Sequence, residues 1–576
     1  MIRFQSLPRQ IVSYAGNRWD WALLPFVLAI LALLAWGGNQ MSTPYQVGVA
    51  LPISLDPIML PYYLLRTTLR MCIAMIVSLL FACIFAVLAT KIKLAERILL
   101  PLLDILQSIP VLGFLLITTT GFIALFPGNL LGVECAAIFA IFTSQAWNMA
   151  FSLYQSLRTI PLDLAEAACV FRLSGWQRFW RLELPFAMPN LLWNMMMSMS
   201  GGWFFVVASE AISVANQNIR LPGIGSYIAL AIDLHNLQAI VWAIVTMAVG
   251  ILIYDQCIFR PLLAWADKFR FEETSGNNAQ SSWLLSWLRR TDHFQKLGRI
   301  AGKYMVATFS WFRHKKTYPI ESMDEKVISP RLVYLFDGLI LLVALLISWQ
   351  LIRFILHAVT WSEILHVFIL GCYTMTRVMV LIVIATLLWV PIGVWIGLNP
   401  NWADRLQAIA QFMAAFPANL MFPLMVICIV HFELNPNIWL SPLMILGTQW
   451  YLLFNVIAGA AAIPTELRYA AKNTGLRGWL KWKRYLLPAI FPSFITGAIT
   501  ASGGSWNASI VAEYTHWGQT TLQAEGLGSY IAHMTAVGDF HRSALGIGVM
   551  CLFVMGLNCF VWRKLYQLSV ERIRLS

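Results

Sequence analysis

Apolar positions along this chain fall in long unbroken blocks, not in the short alternations or one-sided stripes of soluble elements. Twelve blocks are long enough to cross a bilayer, at about 20 residues each. Their approximate limits are residues 19–37, 67–90, 99–126, 133–156, 190–214 and 238–259, then 334–356, 374–398, 406–430, 438–459, 489–512 and 543–562. Lipid offers no partner to an open backbone, so each block is expected as a helix. The first follows Arg3, Arg9 and Arg18, as the core of a signal peptide would. Gly37-Gly38-Asn39-Gln40 gives no small-x-small cleavage site, so this block is expected to remain as a helix.

Composition narrows the class to integral membrane proteins. Of 576 residues, 59% are hydrophobic and 12% charged, where a soluble surface needs roughly 25% charged. Charge then sets the orientation. With the N-terminus inside, 34 of the 40 Lys and Arg lie in cytoplasmic segments, a positive-inside bias that places both termini in the cytoplasm. The net charge of +13 is dispersed as a topology signal, so no nucleic-acid partner is expected. The nine cysteines are scattered in apolar runs, with no CxxC and no neighbouring His cluster, so neither a disulfide framework nor a metal site is expected. His431, His516, His533 and His541 likewise lack ligand spacing.

The chain repeats itself. Gly223-Ile224-Gly225-Ser226-Tyr227-Ile228-Ala229 returns as Gly526-Leu527-Gly528-Ser529-Tyr530-Ile531-Ala532, and the same offset of 303 carries Pro185 to Pro488, Trp203 to Trp506 and Glu210 to Glu513. Upstream the offset is 307, taking Arg70 to Arg377 and Pro110 to Pro417. The expected architecture is all-α: about twelve transmembrane helices as two parallel six-helix repeats. The first half spans residues 1–260, a polar basic cytoplasmic linker 261–333, and the second half 334–576. Within the linker, Ser281 to Arg290 fits an amphipathic helix, either on the inner leaflet or packed on the protein itself.

Between the fourth and fifth blocks of each half runs a loop of one design. Small residues (Glu166-Ala167-Ala168; Tyr469-Ala470-Ala471) lead to a turn, with Arg172, Ser174 and Gly175 in one and Gly475 in the other. A basic, aromatic segment follows, and Leu184-Pro185 or Leu487-Pro488 is expected to restart the chain into the membrane. Such an element can transmit a push from a soluble partner.

Glu-Ala-Ala, a Gly six residues after the Glu and a Leu-Pro ending nineteen after it resemble the coupling loop of binding-protein-dependent ABC importer permeases. The first loop departs from the pattern at Arg172, and the second at Tyr469. The nitrate, taurine and alkanesulfonate group is the most similar, on Thr68-Leu69-Arg70, Gln107-Ser108-Ile109-Pro110, Ala208-Ser209-Glu210 and the Gly-x-Gly-Ser-Tyr that follows, echoed by Thr376-Arg377, Ala415-Phe416-Pro417 and Ala512-Glu513. The resemblance implies a type I importer subunit of the bacterial inner membrane, its two halves fused, for a small anionic solute. It further implies two ATPase subunits docked on the loops, an external solute-binding protein, and ATP and Mg held by the partners. No cofactor is expected in this chain itself, and its sequence has no P-loop; Gly302-Lys303-Tyr304 is its nearest fragment.

Polar residues inside the blocks are costly in lipid and should face the bundle interior. They are Gln145, Asn148, Asn194, Ser198 and Ser200, with Gln449, Asn455, Ser502, Ser505 and Asn507 in the second half. They fit either a solute pathway or hydrogen bonds between helices, the latter helped by Gly201-Gly202 and Gly503-Gly504. Arg70 and Arg377 either draw an anion or binding protein, or snorkel to headgroups. Glu210 and Glu513 either gate the pathway or cap helices. A secondary transporter of the major facilitator type shares the six-plus-six layout, but Lys91-Ile92-Lys93-Leu94-Ala95-Glu96-Arg97 and Asn399-Pro400-Asn401-Trp402-Ala403-Asp404-Arg405 lack its glycines and basic cluster.

Overall fold

The computed structural model of the protein describes residues 36–41, 43–44, 51–108, 110–214, 217–269, 284–286, 330–517 and 520–572. The first apolar block therefore lies almost wholly outside the described residues, as does most of the linker with its Ser281–Arg290 segment.

Among the described residues eight helices are long and apolar enough to span a membrane, or ten if each of two bent pairs counts once. In the first half α1 (Leu60–Lys91), α2 (Lys93–Ser108), α3 (Leu115–Leu125) and α4 (Leu131–Arg158) precede a short α5 (Leu162–Val170). Then come α6 (Leu184–Glu210), a hairpin of β1 (Ala211–Val214) and β2 (Gln217–Arg220), α7 (Ile224–Asp233) and α8 (Leu237–Tyr254). The second half adds α9 (Pro330–Leu356), α10 (Trp361–Leu398), α11 (Pro400–Ala415), α12 (Phe422–His431), α13 (Gln449–Ala461) and α14 (Thr465–Asn473). It closes with α15 (Leu487–Ala512), β3 (Tyr514–Trp517), β4 (Thr520–Gln523), α16 (Leu527–Val537) and α17 (Phe540–Leu557).

Three expectations need correction. The third blocks are not straight: Ile409–Ala415 and Ala418–His431 meet at 80° around Pro417, and a 3₁₀ turn over Val111–Phe114 follows the matched Pro110. A proline has no N–H to give the preceding turn, so the helix stops there. The block at 190–214 is also shorter than its hydropathy suggests. Its helix ends at Glu210, and apolar Ala211–Val214 turns back on Gln217–Arg220 as an antiparallel pair. Finally, Leu-Pro does not restart a helix. The chain is helical from Gly175 and from Gly478, and a wide turn (Phe179–Glu183, Trp482–Leu486) runs directly into each Leu-Pro.

Thr159–Leu192 and the described part of 254–326 belong to a smaller compact unit. Met41–Arg158, Trp193–Ile253 and the second half form the larger one. Inside the larger unit a single apolar cluster draws Val111, Leu112, Ala140 and Phe205 from the first half and Phe422, Leu443, Trp506 and Ile531 from the second. The halves share a core there. The matched proline breaks make part of that joint: Val111 N–H donates to Asn507 Oδ1 at 2.7 Å, and Asn419 Nδ2 donates to the Phe204 carbonyl at 3.1 Å. Asn507 and Phe204 occupy repeat-equivalent places, so each half clasps the other's broken helix.

Candidate functional site

The residues flagged as outer-end charges pair off, with Arg70, Glu210 and Glu513 buried and Arg377 partly exposed. Arg70 lies on the inner face of α1, and its guanidinium forks onto Glu134 of α4, Nε to Oε2 at 2.6 Å and Nη2 to Oε1 at 2.8 Å. Its Nη1 reaches Glu210 Oε1 at 2.7 Å and the Pro222 carbonyl at 2.9 Å. Arg66, one turn earlier, donates to Glu134 Oε1 at 2.7 Å. Thr67 donates to Glu210 Oε1 at 2.6 Å and accepts the Ile224 N–H at 3.1 Å. The second oxygen of Glu210 takes the Gly225 N–H at 2.7 Å. All four charged side chains are at most 1% exposed. Snorkelling to headgroups is excluded for Arg70. Two cations face two anions, the arrangement that burial demands.

The second half repeats this with fewer charges. Arg377 Nη1 meets Glu513 Oε1 at 3.0 Å and the Glu525 carbonyl at 2.9 Å. Thr374 donates to Glu513 at 2.9 Å and accepts the Leu527 N–H at 2.9 Å. Gly528 N–H donates to the other carboxylate oxygen at 2.8 Å. Where the first half has Glu134, the second offers Asn437 Oδ1, 3.3 Å from Arg377 Nη2. Tyr373 stands where the 307 offset places Arg66's counterpart, so the extra pair is absent in both its members.

This geometry explains the repeated Gly-x-Gly. A Cβ on Gly223 or Gly526 would sit 2.3 Å from the carboxylate of Glu210 or Glu513, and one on Gly225 would lie 2.2 Å from the Val207 carbonyl oxygen. Only glycine lets the start of α7 or α16 press on that glutamate. Arg66, Thr67, Glu134, Thr374 and Asn437 were missed in the sequence. Thr68 and Thr376, quoted there, bond only to their own helices, at Leu64 O and Cys372 O. The 307 offset, applied to Thr67 and Thr374, was the signal that would have found the working pair.

The pathway candidates divide. Gln449 accepts from Trp389 Nε1 at 2.9 Å, Asn455 donates to the Tyr451 carbonyl at 2.8 Å, and Ser505 shares a 2.9 Å hydrogen bond with Thr448. Ser200 donates to the Ala414 carbonyl of the other half, and Asn148 accepts from Gln107 at 3.4 Å. Gln145 is buried with Nε2 on the Met71 sulfur at 3.4 Å, while its Oε1 and the Ser198 hydroxyl have no hydrogen-bond partner among the described residues. Ser502 is buried and Asn194 half-buried.

The two loops keep one backbone plan. After α5, Arg172 takes φ 50°, its N–H donating to Cys169 O and that of Leu173 to Ala168 O. After α14, Gly475 does the same at φ 67°, with Lys472 O and Ala471 O as acceptors. Ala168 and Ala471 are buried, Glu166, Tyr469 and Ala470 exposed. Ala167, Pro185 and Pro488 are half-buried. Ser174 caps the next helix through Gln177 in a reciprocal pair, with Gly175 exposed at its start. The left-handed turn costs a non-glycine about 1–2 kcal/mol, of which the freedom of glycine in the unfolded chain returns roughly half. Arg172→Gly should therefore leave the thermal midpoint in lipid nanodiscs unchanged or slightly raised. A clear fall would show that the Arg172 side chain itself holds the turn.

The family described as "Binding-protein-dependent transport system inner membrane component" matches residues 78–257 and, separately, 389–575. The chain belongs to that family. Two matches in one chain are two permease domains, and the facilitator-type reading is set aside. Among curated relatives, the nitrate import permease protein NrtB of Synechocystis is 22% identical over 41% of this chain and 86% of its own length. The bicarbonate transport system permease protein CmpB of Synechococcus elongatus is 28% identical over 20% of this chain and 41% of its own. The glycine betaine/proline betaine permease ProW of Escherichia coli is 27% identical over 37% and 59%. The protein is a multi-pass inner-membrane permease of an ABC import system with both of its permease domains fused.

Proposed function

We propose that this permease carries a small polar solute, anionic like those named for its nitrate and bicarbonate relatives, between its two halves. Two ATPase subunits, holding ATP and Mg, engage the Glu166–Pro185 and Tyr469–Pro488 loops, and a solute-binding protein delivers from outside. Helix α15 supports the arrangement: its 26 residues rise about 39 Å, more than the hydrocarbon core, with a loop at one end and the β3–β4 hairpin at the other. With that loop inside, the β3–β4 hairpin is external, and the excess of Lys and Arg in cytoplasmic segments puts both termini in the cytoplasm.

The observation that carries this reading is the pair of permease domains whose loops share one backbone plan. Arg70 and Arg377 are spent on carboxylates, so solute selection falls to neutral donors such as Ser198 and Ser502. The test is co-purification with candidate ATPases in lipid, followed by uptake assays over nitrate, bicarbonate, sulfonates and betaine. Two ATPase copies per chain are expected. Ala470→Arg, a change at an exposed position, should reduce ATPase stimulation by at least roughly tenfold, the scale of a lost interface hot spot. Uptake driven by an ion gradient with no ATPase bound would refute the reading.

A further inference from the structure

The hairpin end is built by exchange. Helix α7 of the first half packs on β3 of the second, and α16 of the second packs on β1 of the first. The exchange is symmetric in backbone but not in side chains. Helix α16 ends at Gly538 with φ 84°, a left-handed residue whose neighbour's N–H returns to Met534 O. Helix α7 ends in the same way, with Asn236 N–H returning to Ala231 O, yet the left-handed residue is His235 at φ 53°. A histidine stands in a conformation that glycine fills at the equivalent place. Its exposed ring meets Trp517 at the end of β3 edge-on, 5.1 Å between centroids and 72° between planes. Gly538 has no ring to make the matching contact.

We propose that His235 and Trp517 form a clasp that holds the hairpin end of the permease shut, and that both are positioning residues for transport. The clasp joins the two halves through a residue kept in an unfavourable backbone region. Its role in transport rests on the function proposed above; the contact itself does not. Opening that end requires the rings to part. An edge-on aromatic pair shifts a two-state balance by roughly three- to tenfold.

The test uses His235→Gly, a change the backbone favours, together with Trp517→Ala and the double variant. In the chain alone in nanodiscs, deuterium uptake over residues 211–220 and 514–523 should rise in each single variant, and no further in the double, with the melting midpoint of His235→Gly preserved. In the complex with its ATPases, hydrolysis without binding protein should rise roughly three- to tenfold in each single variant. Trp517→Tyr, which keeps a ring, should restore both. Unchanged uptake in His235→Gly overturns the clasp. Raised uptake with unchanged hydrolysis leaves a structural contact and overturns the positioning role. If no ATPase binds, the permease reading fails and deuterium uptake still decides the clasp.

Discussion

Glu210→Ala is expected to cost on the order of 3–5 kcal/mol, a large share of the roughly 5–15 kcal/mol that holds a folded chain together. Removing this carboxylate leaves Arg66 and Arg70 against Glu134 alone, one uncompensated positive charge among fully buried groups. It also strips the acceptor from Thr67 and from the Gly225 N–H and leaves Arg70 Nη1 with the Pro222 carbonyl, so the start of α7 loses its anchor on α6. Glu513→Ala should do similar but smaller damage. Arg377 is 14% exposed and keeps the Glu525 carbonyl and Asn437 as partners. Glu210→Gln should fall between native and alanine, because it keeps hydrogen-bond capacity while losing the charge. The measurement is the yield of monodisperse protein and its unfolding midpoint in a fixed lipid. A midpoint for Glu210→Ala equal to native would show that the lock carries no stability, and would return Glu210 to the gating role its position first suggested.

The positions of the lock were visible in the sequence, but its pairing was not. Hydropathy blocks and the repeat are legible because long apolar runs and motifs recurring at fixed offsets lie in the order of the residues, and a bilayer permits little besides helices. Arg70 and Glu210 stand 140 residues apart, and nothing local shows that α1 turns that arginine toward α4 and α6 instead of toward headgroups. Glu134 opens the fourth block and was passed over, since its partner role is set by tertiary register. Ala211–Val214 read as helix because a short β-branched run is as apolar as the helix it follows. Pro110 and Pro417 were noted as matched, yet the contacts that tie each break to the other half, Val111 N–H to Asn507 and Asn419 to the Phe204 carbonyl, are set by tertiary register. The 303 offset sets His235 against Gly538, but its meaning comes from its backbone angle and from a ring on the other half. The loops were the most legible part, since spacing alone aligned Arg172 with Gly475 and the structure gives both the same turn.

The second large effect is a reversal. Glu134→Gln alone should destabilise by about 3–5 kcal/mol, because Arg66 and Arg70 then share only Glu210. Arg66→Met alone should also cost, leaving Glu134 and Glu210 against Arg70 and a net negative charge in the same dry space. Joined, the two changes restore neutrality: one arginine, one glutamate and one amide, the charge plan that the second half already uses in Arg377, Glu513 and Asn437. The double variant should lie within about 1–2 kcal/mol of native, since replacing a buried ion pair by neutral groups of similar volume is often close to neutral. Its excess over the summed singles should reach at least roughly 2–3 kcal/mol of coupling. The check is a four-member cycle of unfolding midpoints in one lipid composition. Were the double variant to fall by the sum of the singles, the first half would be held by the particular contacts of Arg66 and Glu134. Recovery in the double variant would identify charge balance as the condition both halves meet, one with four charges and the other with two.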